Sequence, residues 1–360
     1  MATFLFVVPR FHTNLFFATR ALIAAGHHVE VAVAKIAGTE DHSHATPVEI
    51  GAEPARVVLN DLVRRIRPDL MIVRGSNRLL GRAGIAGRRY GARVLTYNLR
   101  PTTRVTPPGR RLRSLLIGRP WKRITPVPGL DASARQDPAA ILVPFPVAAM
   151  PHTVSLQPPG DPVRILCVGK LAQRRKNQHL VIDALRRLAG FGRAVRLTIV
   201  GSSGRSVSGA DEGHYDYQMD AARDTDWIDI RADLPFAEMA SVYAAHDICV
   251  LPSVGEPLGA APIEGMAYGT IPVISTGAGA AGLIVDGETG FRVDVTEPGA
   301  LEQAFRRLID EPDLRARMSE AARRVTATEL SPETYVARME ALLPRRAGGG
   351  RAVPRTETNR

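Results

Sequence analysis

Short apolar runs rich in β-branched residues alternate with segments of helical periodicity along most of the chain. The run Ile-Cys-Val-Leu at residues 248–251, for example, is apolar and partly β-branched, which is typical of a strand buried in a parallel sheet. The alternation of strand and helix predicts a doubly wound α/β domain. The predicted strands are residues 3–8, 29–33, 70–73 and 93–97, and the predicted helices are residues 14–25 and 79–90.

A second α/β pattern follows a change of composition around residues 137–162, where prolines accumulate as in a linker. It predicts strands at residues 164–168, 195–200, 227–230, 247–251 and 271–275, helices at 181–188 and 236–245, and a helical end. The predicted organisation is an N-terminal domain at residues 1–155, a C-terminal domain at 163–330, a C-terminal helix at 331–345 and a disordered tail at 346–360.

Composition narrows the class of partner. The chain has 360 residues, enough for two hydrophobic cores, and a formal net charge of +11, which favours an anionic partner. Nucleic acid is not expected, because aromatic residues are not interleaved with the basic ones. Cys167 and Cys249 lie in apolar strand patterns, which predicts free thiols in a reducing compartment. With no apolar run of roughly 18–20 residues to span a bilayer, we expect a soluble, cytoplasmic protein.

Residues 251–276 carry the clearest chemical signal. The strand at 247–251 leads into a loop containing Gly255 and Gly259, and a helix with Pro262 in its first turn follows. Proline is tolerated there because an N–H at this position has no intrahelical partner. The backbone N–H groups of residues 258–261 would then point out of a helix N-terminus, a geometry that binds phosphate.

Two carboxylates, Glu256 and Glu264, flank this loop. Carboxylates repel a phosphate group, but they accept hydrogen bonds from hydroxyls on either side of it. A ligand with hydroxyls on both sides of a diphosphate is a nucleotide sugar, with a ribose on one side and a hexose on the other. We therefore predict a nucleotide-sugar site.

The Glu-x7-Glu spacing, with Gly259 inside it and the strand Gly-Thr-Ile-Pro-Val-Ile at 269–274 after it, resembles the family-4 retaining glycosyltransferases. The resemblance implies the GT-B fold, in which two Rossmann-like doubly wound parallel-sheet domains face each other across a cleft. It implies that Glu256 meets the donor sugar and that Glu264 holds the ribose. It also implies that the backbone between them holds the diphosphate, through Pro257, Leu258, Gly259, Ala260 and Ala261.

Basic residues after the strand at 164–168 fit the same ligand. Lys170 and Lys176 lie near one predicted helix N-terminus, where two cations suit a diphosphate. The resemblance places both lysines at the donor phosphates as catalytic groups, although an extra loop residue leaves open whether Arg175 or Lys176 takes the second role. It also implies that the backbone near Leu234 flanks the base, and that neither a metal ion nor another cofactor is needed.

The N-terminal half has fewer recognisable features. His12 and Asn14 follow the first strand and are candidates for contacting an acceptor, but they equally suit capping of the next helix. Asn98 stands where members of the family commonly have a histidine. The basic, proline-broken residues 100–124 have three interpretations: peripheral contact with an anionic membrane, binding of a phosphorylated acceptor, or a solvated loop, which we favour.

Two further motifs are interpreted structurally. Asp224-Thr-Asp226 matches a metal-binding pattern of other glycosyltransferases, but its setting favours a turn with acids that end a helix. Gly277-Ala-Gly-Ala-Ala-Gly282 matches a dinucleotide-binding pattern, but it comes late in its domain and leads into a turn. We expect a close-packing loop over the donor cleft.

The sequence therefore predicts an enzyme that transfers a sugar from a nucleotide diphosphosugar, a UDP-sugar by preference, with retention of configuration. We expect a hydroxyl acceptor whose identity the sequence leaves open, with a glycan, a lipid-linked glycan and a small natural product as candidates. The alternative is a catalytically inactive scaffold that binds nucleotide sugars, which the replacement of the usual histidine by Asn98 would explain.

Overall fold

The computed structural model describes residues 1–36, 40–116, 120–131, 133–148, 161–190, 192, 194–204 and 209–344. Part of the predicted linker and the whole of the predicted tail lie outside these residues. The described chain forms two parallel sheets. The N-terminal sheet has seven strands: β1 (Thr3–Val8), β2 (His28–Val33), β3 (Val48–Glu49), β4 (Leu70–Val73), β5 (Arg93–Tyr97), β6 (Arg123–Thr125) and β7 (Ala140–Leu142).

The N-terminal sheet has the strand order β3-β2-β1-β4-β5-β6-β7. The chain therefore builds outwards from β1 in one direction and then crosses to β4 and builds in the other. Strand β1 pairs in parallel with both β2 and β4. The change of direction between β1 and β4 leaves a crevice at their carboxyl ends, which is where ligands bind in open α/β sheets.

The C-terminal sheet repeats this plan with six strands in the order β10-β9-β8-β11-β12-β13. Its change of direction falls between β8 and β11, which again pair in parallel. The strands are β8 (Val163–Val168), β9 (Val195–Gly201), β10 (Ile228–Ala232), β11 (Ile248–Leu251), β12 (Ile271–Ser275) and β13 (Phe291–Val293). The two predicted doubly wound sheets are confirmed.

Helices connect the strands and cover the sheets. Those of the N-terminal half are α1 (Thr13–Ala24), α2 (Arg56–Ile66), α3 (Asn77–Arg89) and α4 (Pro108–Leu116). Those of the second half are α5 (Gln178–Gly190), α6 (Glu212–Arg223), α7 (Met239–Ala244), α8 (Ala261–Met266), α9 (Ala300–Asp310), α10 (Pro312–Thr328) and α11 (Pro332–Glu340).

Helix α6 lies in a segment between the predicted strands at 195–200 and 227–230 for which we predicted no helix. Its first turn is capped by Asp211, whose side chain accepts a hydrogen bond from the backbone N–H of His214. Its buried face is largely polar: Gln218 donates to the carbonyl oxygen of Leu171, and His214 hydrogen-bonds Gln178. The apolar periodicity that reveals a helix is therefore weak there.

The two cysteines are buried free thiols, as predicted. They lie on the neighbouring strands β8 and β11, where Cys167 is level with Val250. Because side chains alternate between the faces of a sheet, Cys167 and Cys249 pack into different hydrophobic clusters. Burial raises the pKa of Cys167 to about 12, so this thiol is unreactive.

The C-terminal helix α11 crosses back to the N-terminal domain. Ser331 caps it by accepting a hydrogen bond from the N–H of Thr334. Its residues Tyr335 and Met339 are buried in the same cluster as Phe4 of β1. The domains also meet at the loop after β12, where a Cβ atom on Gly282 would lie only 2.5 Å from the carbonyl oxygen of Gly129.

Residues 100–124 are not simply a solvated loop, and the interpretation we favoured is wrong for the described part. Residues 108–116 form α4, and Arg123 is only 3% exposed. The buried carboxylate of Asp137 organises the segment by pairing with Arg111 at 2.8 Å and Arg123 at 3.5 Å. The basic composition therefore conceals a buried ion-pair network.

Among the residues that the structure describes, no helix is both long and apolar enough to cross a bilayer.

The substitution Asp137→Asn should destabilise the protein by about 3 kcal/mol, because it leaves the buried Arg123 guanidinium without its counter-charge. Urea denaturation followed by circular dichroism measures this loss. Asp131→Asn is the matched control, since Asp131 lies in an exposed turn of the same domain. Equal midpoints for Asp137→Asn and wild type would contradict the assigned role.

Wild type and Asp137→Asn can also be compared for the pH dependence of their stability. Burial opposes ionisation of Asp137, but hydrogen bonds from Thr106 and Ala139 and the charges of Arg123 and Arg111 outweigh it and lower its pKa. Stability from this carboxylate is therefore complete above the unfolded value near about 3.9 and is lost as the pH falls below it. The difference in the free energy of unfolding between wild type and Asp137→Asn should therefore become smaller as the pH is lowered.

Candidate active site

A cavity of about 520 Å³ lies between the two domains. Its walls come from the carboxyl ends of strands in both sheets, at the two changes of strand direction. His12 follows β1 and Arg74 follows β4, whereas Val168 ends β8 and the segment 256–261 follows β11. The fold thus brings the loop that the sequence singled out to face the N-terminal domain.

Two loops of the C-terminal domain are joined beneath this cavity. The side-chain amide of Asn177 donates to the carbonyl oxygen of Pro252 at 3.0 Å. The N–H of Val254 donates to the carbonyl oxygen of Arg175 at 3.1 Å. The loop after β8 and the loop after β11 are therefore held in a fixed relation.

Gly259 is required by the shape of the second loop. Its φ is +82°, and a Cβ atom there would overlap the Cδ2 atom of Leu251 and lie 3.1 Å from the Cγ atom of Glu256. The loop is tied at its start, where the N–H of Glu256 donates to the carbonyl oxygen of Gly277 at 3.1 Å. The N–H of Gly279 returns a bond to the carbonyl oxygen of Glu256 at 2.9 Å.

The backbone after Glu256 presents free donors. Within the described part of the chain, the N–H groups of Leu258, Gly259 and Ala260 have no hydrogen-bond acceptor. Helix α8 starts directly afterwards, with Pro262 in its first turn as predicted. Residues 257–261 all line the cavity, so these donors lie beside space that a ligand can fill.

Glu256 forms ion pairs with two basic side chains. Its Oε2 atom accepts hydrogen bonds from Nζ of Lys176 at 2.6 Å and from a guanidinium nitrogen of Arg175 at 2.9 Å. Burial acts to raise the pKa of Glu256, but the contacts with Lys176 and then Arg175 outweigh it and lower the pKa. The choice that the sequence left open between Arg175 and Lys176 has no single answer here, because both reach the same carboxylate.

Glu264 lies at the opposite end of the loop, in the first turn of α8. Its Oε2 atom accepts a hydrogen bond from the hydroxyl of Tyr243 at 2.9 Å, and the Tyr243 ring stacks on that of Tyr268. Burial raises the pKa of Glu264, against the effect of that hydrogen bond. One oxygen is thus fixed by the protein, whereas Oε1 has no donor among the described residues.

His12 and Asn14 both line the cavity from the N-terminal domain. His12 occupies the N-cap position of α1, but its side chain makes no capping hydrogen bond, so the capping interpretation is wrong for this residue. Burial, with a further contribution from the charge of Arg74, lowers the pKa of His12 to about 4. His12 is therefore neutral at physiological pH.

Three predicted site residues, Lys170, Lys176 and Leu234, are not among the residues that line the cavity, and neither is Asn98. Lys176 reaches the lining only through its contact with Glu256. Lys170 has an exposed side chain on the loop after β8. Leu234 is half-buried against the cluster that contains Tyr243. Asn98 accepts hydrogen bonds from the N–H of Arg100 and from the Arg123 guanidinium, and lines a neighbouring cavity.

Arg74 and Tyr97 are lining residues that the sequence analysis missed. The Arg74 guanidinium lies 5.2 Å from the centre of the Tyr97 ring. Arg74 directly follows β4 and Tyr97 ends β5. Their position at the carboxyl ends of predicted strands was the available signal.

The two motifs that we interpreted structurally behave as expected. Asp224 is the C-cap of α6, so Asp224-Thr-Asp226 ends a helix. In the glycine-rich motif, a Cβ atom on Gly279 would overlap the carbonyl oxygen of Pro257. That loop therefore packs against the cavity-lining segment, where larger residues would not fit.

Comparison with known proteins finds glycosyltransferases among the similar sequences and structures. Residues 152–325 match the family model described as "Glycosyl transferases group 1", and this segment contains both Glu256 and Glu264. A D-inositol 3-phosphate glycosyltransferase of Corynebacterium efficiens is 28% identical over 236 residues. That alignment covers 62% of this chain and 52% of the relative, so the chain spans about half of its length.

Solved structures resemble nearly the whole chain. A glycosyltransferase from Rickettsia africae superposes with a TM-score of 0.73 at 17% identity, covering 94% of this chain and 97% of that one. Anabaena HepE in complex with UDP superposes with a TM-score of 0.70 at 13% identity, covering 94% and 98%. At these identities the likeness shows the fold, which is GT-B as predicted.

Gly259→Ala should lower stability more than Gly255→Ala. Both glycines have positive φ, so each substitution costs about 1–2 kcal/mol of backbone strain. Only the alanine at 259 also overlaps Leu251, whereas no atom lies within 4 Å of a Cβ at 255. Urea denaturation of the two variants compares these costs. Equal loss in both would show that the loop tolerates a side chain at 259.

Proposed function

We propose that this protein is a retaining glycosyltransferase that moves a sugar from a nucleotide diphosphosugar, preferentially a UDP-sugar, to a hydroxyl acceptor. The observation that carries the proposal is the joint contact of Arg175 and Lys176 with Glu256 at one end of a loop whose other end is Glu264. Arg175, the free backbone donors and the two carboxylates line one wall of an interdomain cavity, and Lys176 contacts the lining residue Glu256.

The diphosphate would bind where Glu256 now holds the cations. An entering diphosphate offers Lys176 and Arg175 several anionic oxygens, so the cations can exchange one carboxylate for a ligand of higher charge. The N–H groups of Leu258, Gly259 and Ala260 add further donors. Glu256, released from part of its pairing, can then accept a hydrogen bond from a hydroxyl of the donor sugar.

The nucleoside would extend towards Glu264. Its Oε1 atom is available to accept a ribose hydroxyl, because Tyr243 engages only Oε2. The preference for UDP is supported by the similar fold of the Anabaena protein solved with UDP. A contact of the base with the backbone near Leu234, at the end of β10, is part of the proposal.

Catalysis would be largely electrostatic. Breaking the sugar–phosphate bond develops negative charge on the leaving diphosphate, and fixed cations and N–H donors stabilise that charge without reorganising. In this proposal, Lys176 and Arg175 supply the stabilising positive charge. The exposed Lys170 is a further candidate for this role once a donor is bound. In this proposal the reaction needs no metal ion or other cofactor.

The acceptor would approach from the N-terminal wall. His12 and Asn14 line the cavity opposite Glu256, and the low pKa of His12 makes its ring a neutral hydrogen-bonding group. Neutral polar groups suit the orientation of a hydroxyl without repelling the Arg74 cation nearby. We propose that these residues orient the acceptor.

A nucleotide-sugar-binding scaffold is the second candidate. It is favoured by Asn98, which replaces the usual histidine and is engaged by Arg100 and Arg123 rather than facing the donor cavity. A wild-type protein that binds a nucleoside diphosphate but neither transfers nor hydrolyses any nucleotide sugar would select this candidate.

Lys176→Met should lower the rate of nucleoside diphosphate release from the donor at least about tenfold, since it removes one charge-assisted contact to the leaving group. The rate is measured with a coupled assay at saturating donor. Arg306→Met on α9 is the control, because it removes an exposed positive charge of the same domain. Wild-type turnover in Lys176→Met would reject the phosphate site.

The stereochemistry gives an independent test. With an α-linked nucleotide sugar, we expect the initial product to carry the α-linkage, as measured by the anomeric proton coupling in NMR spectra. A β-linked initial product would show inversion and would contradict the proposed class of enzyme, even if the donor site is correct.

A further inference from the structure

A second cavity, of about 780 Å³, lies in the N-terminal domain directly beside the interdomain cavity. The two cavities share Arg74, Tyr97 and Leu99 as lining residues, so they form neighbouring spaces with a common wall. Six arginines line the second one: Arg74, Arg100, Arg110, Arg111, Arg113 and Arg123. We call it the arginine cavity.

Only part of this positive charge is compensated. Asp137 pairs with Arg111 and Arg123 behind the lining. No carboxylate lines the arginine cavity within the described part of the chain, and no ion pair there involves Arg100, Arg110 or Arg113.

Like charges are crowded around Arg100. Burial, together with the charges of Arg104 and Arg110, lowers the pKa of Arg100. Such crowding is unfavourable unless an anion joins it. The fold therefore maintains concentrated positive charge around an empty space large enough for a small polar molecule.

The remaining lining suits a hydroxylated anion. Asn77, Thr96, Thr106 and Ser114 add polar side chains. Asn77 also begins the 13-residue helix α3, whose N-terminal dipole favours negative charge. Guanidinium groups match the planar, multiple hydrogen bonding of phosphate oxygens.

We propose that the arginine cavity binds the phosphate group of the acceptor, so that the acceptor's hydroxyl crosses the wall at Arg74 and Tyr97 to the donor sugar. This inference rests on the proposed function and names its acceptor class as a phosphate-bearing molecule. A phosphate carries up to two negative charges, which suits these guanidinium groups better than a single carboxylate.

The phosphate has two sources with the same chemistry: a soluble phosphate ester or a lipid headgroup. Helix α4 makes the lipid source testable, because Leu112 and Leu116 are 60% and 79% exposed beside the lining residues Arg110 and Arg113. Such a surface can rest against an anionic membrane.

Trp121 provides a local reporter, since it lines the arginine cavity and the chain has only one other tryptophan, Trp227. In a Trp227→Phe background, Trp121 emission is titrated with inorganic phosphate, in the presence of saturating UDP to fill the donor cavity. Sodium chloride of equal ionic strength is the control for screening. We expect a saturable change with phosphate that chloride does not reproduce.

Arg110→Gln combined with Arg113→Gln should weaken the phosphate response at least about tenfold, because two charge-assisted contacts are lost. Both side chains are exposed, so the fold should tolerate the change; Arg100→Gln is a second, independent variant. Arg65→Gln, at an exposed arginine of α2, is the matched control and should bind like wild type. No phosphate response in wild type, or an equal response in the double variant, would overturn the proposal.

Vesicles separate the two sources. If phosphatidylcholine vesicles containing phosphatidic acid change Trp121 emission and compete with phosphate, the acceptor is a lipid; if only free phosphate acts, it is soluble. A different outcome is that the wild type and the double variant sediment equally with these vesicles while Trp121 shows no response to phosphate. That result would indicate adsorption to the protein surface and would reject the arginine cavity as the binding site.

The inference can fail separately from the proposed function. Calorimetry with UDP on the same wild-type protein reports on the donor cavity alone. UDP binding without a Trp121 response to phosphate would refute only the acceptor class. A Trp121 response without binding of any nucleoside diphosphate would support the phosphate site while refuting the proposed donor.

Discussion

The interdomain cavity depends on the pairing of Glu256 with Arg175 and Lys176. The two cations would repel each other if they stood alone, and the half-buried carboxylate would be costly to desolvate without them. Their pairing crosses from the loop after β8 to the loop after β11, and the bond from Asn177 to the carbonyl oxygen of Pro252 fixes the same two loops. A phosphate-sized anion would therefore meet cations that are already in place.

Topology explains why this pairing faces the other domain. In each sheet the strand order changes direction beside the first strand, so loops gather at the carboxyl ends of the central strands. Helix α11 packs in the N-terminal core, and Gly282 allows close contact with Gly129. These contacts hold the loops of the two domains against each other. Positive charge then continues from the cleft through Arg74 into the arginine cavity. Both cavities thus follow from one arrangement of strands.

Much of this organisation could be predicted from the sequence, because buried parallel strands appear as apolar runs. The loop at Glu256 is also marked by its glycines and by the proline in the first turn of the next helix. Helix α6 could not, since its buried face uses His214 and Gln218 in place of apolar residues. The pairing of Asp137 with Arg123 was also missed, because a buried ion pair between distant residues resembles surface charge in the sequence. The joint contact of Arg175 and Lys176 with one carboxylate is a matter of three-dimensional distance.

Calorimetric titration of the wild type and of Glu264→Ala with UDP, GDP, ADP and NAD tests the nucleotide site most directly. We expect one nucleoside diphosphate, UDP by preference, to bind with a 1:1 stoichiometry, and the variant to bind it at least about tenfold more weakly because the ribose loses its acceptor. Binding of NAD alone, or an affinity that Glu264→Ala leaves unchanged, would contradict a nucleotide-sugar site between Glu256 and Glu264.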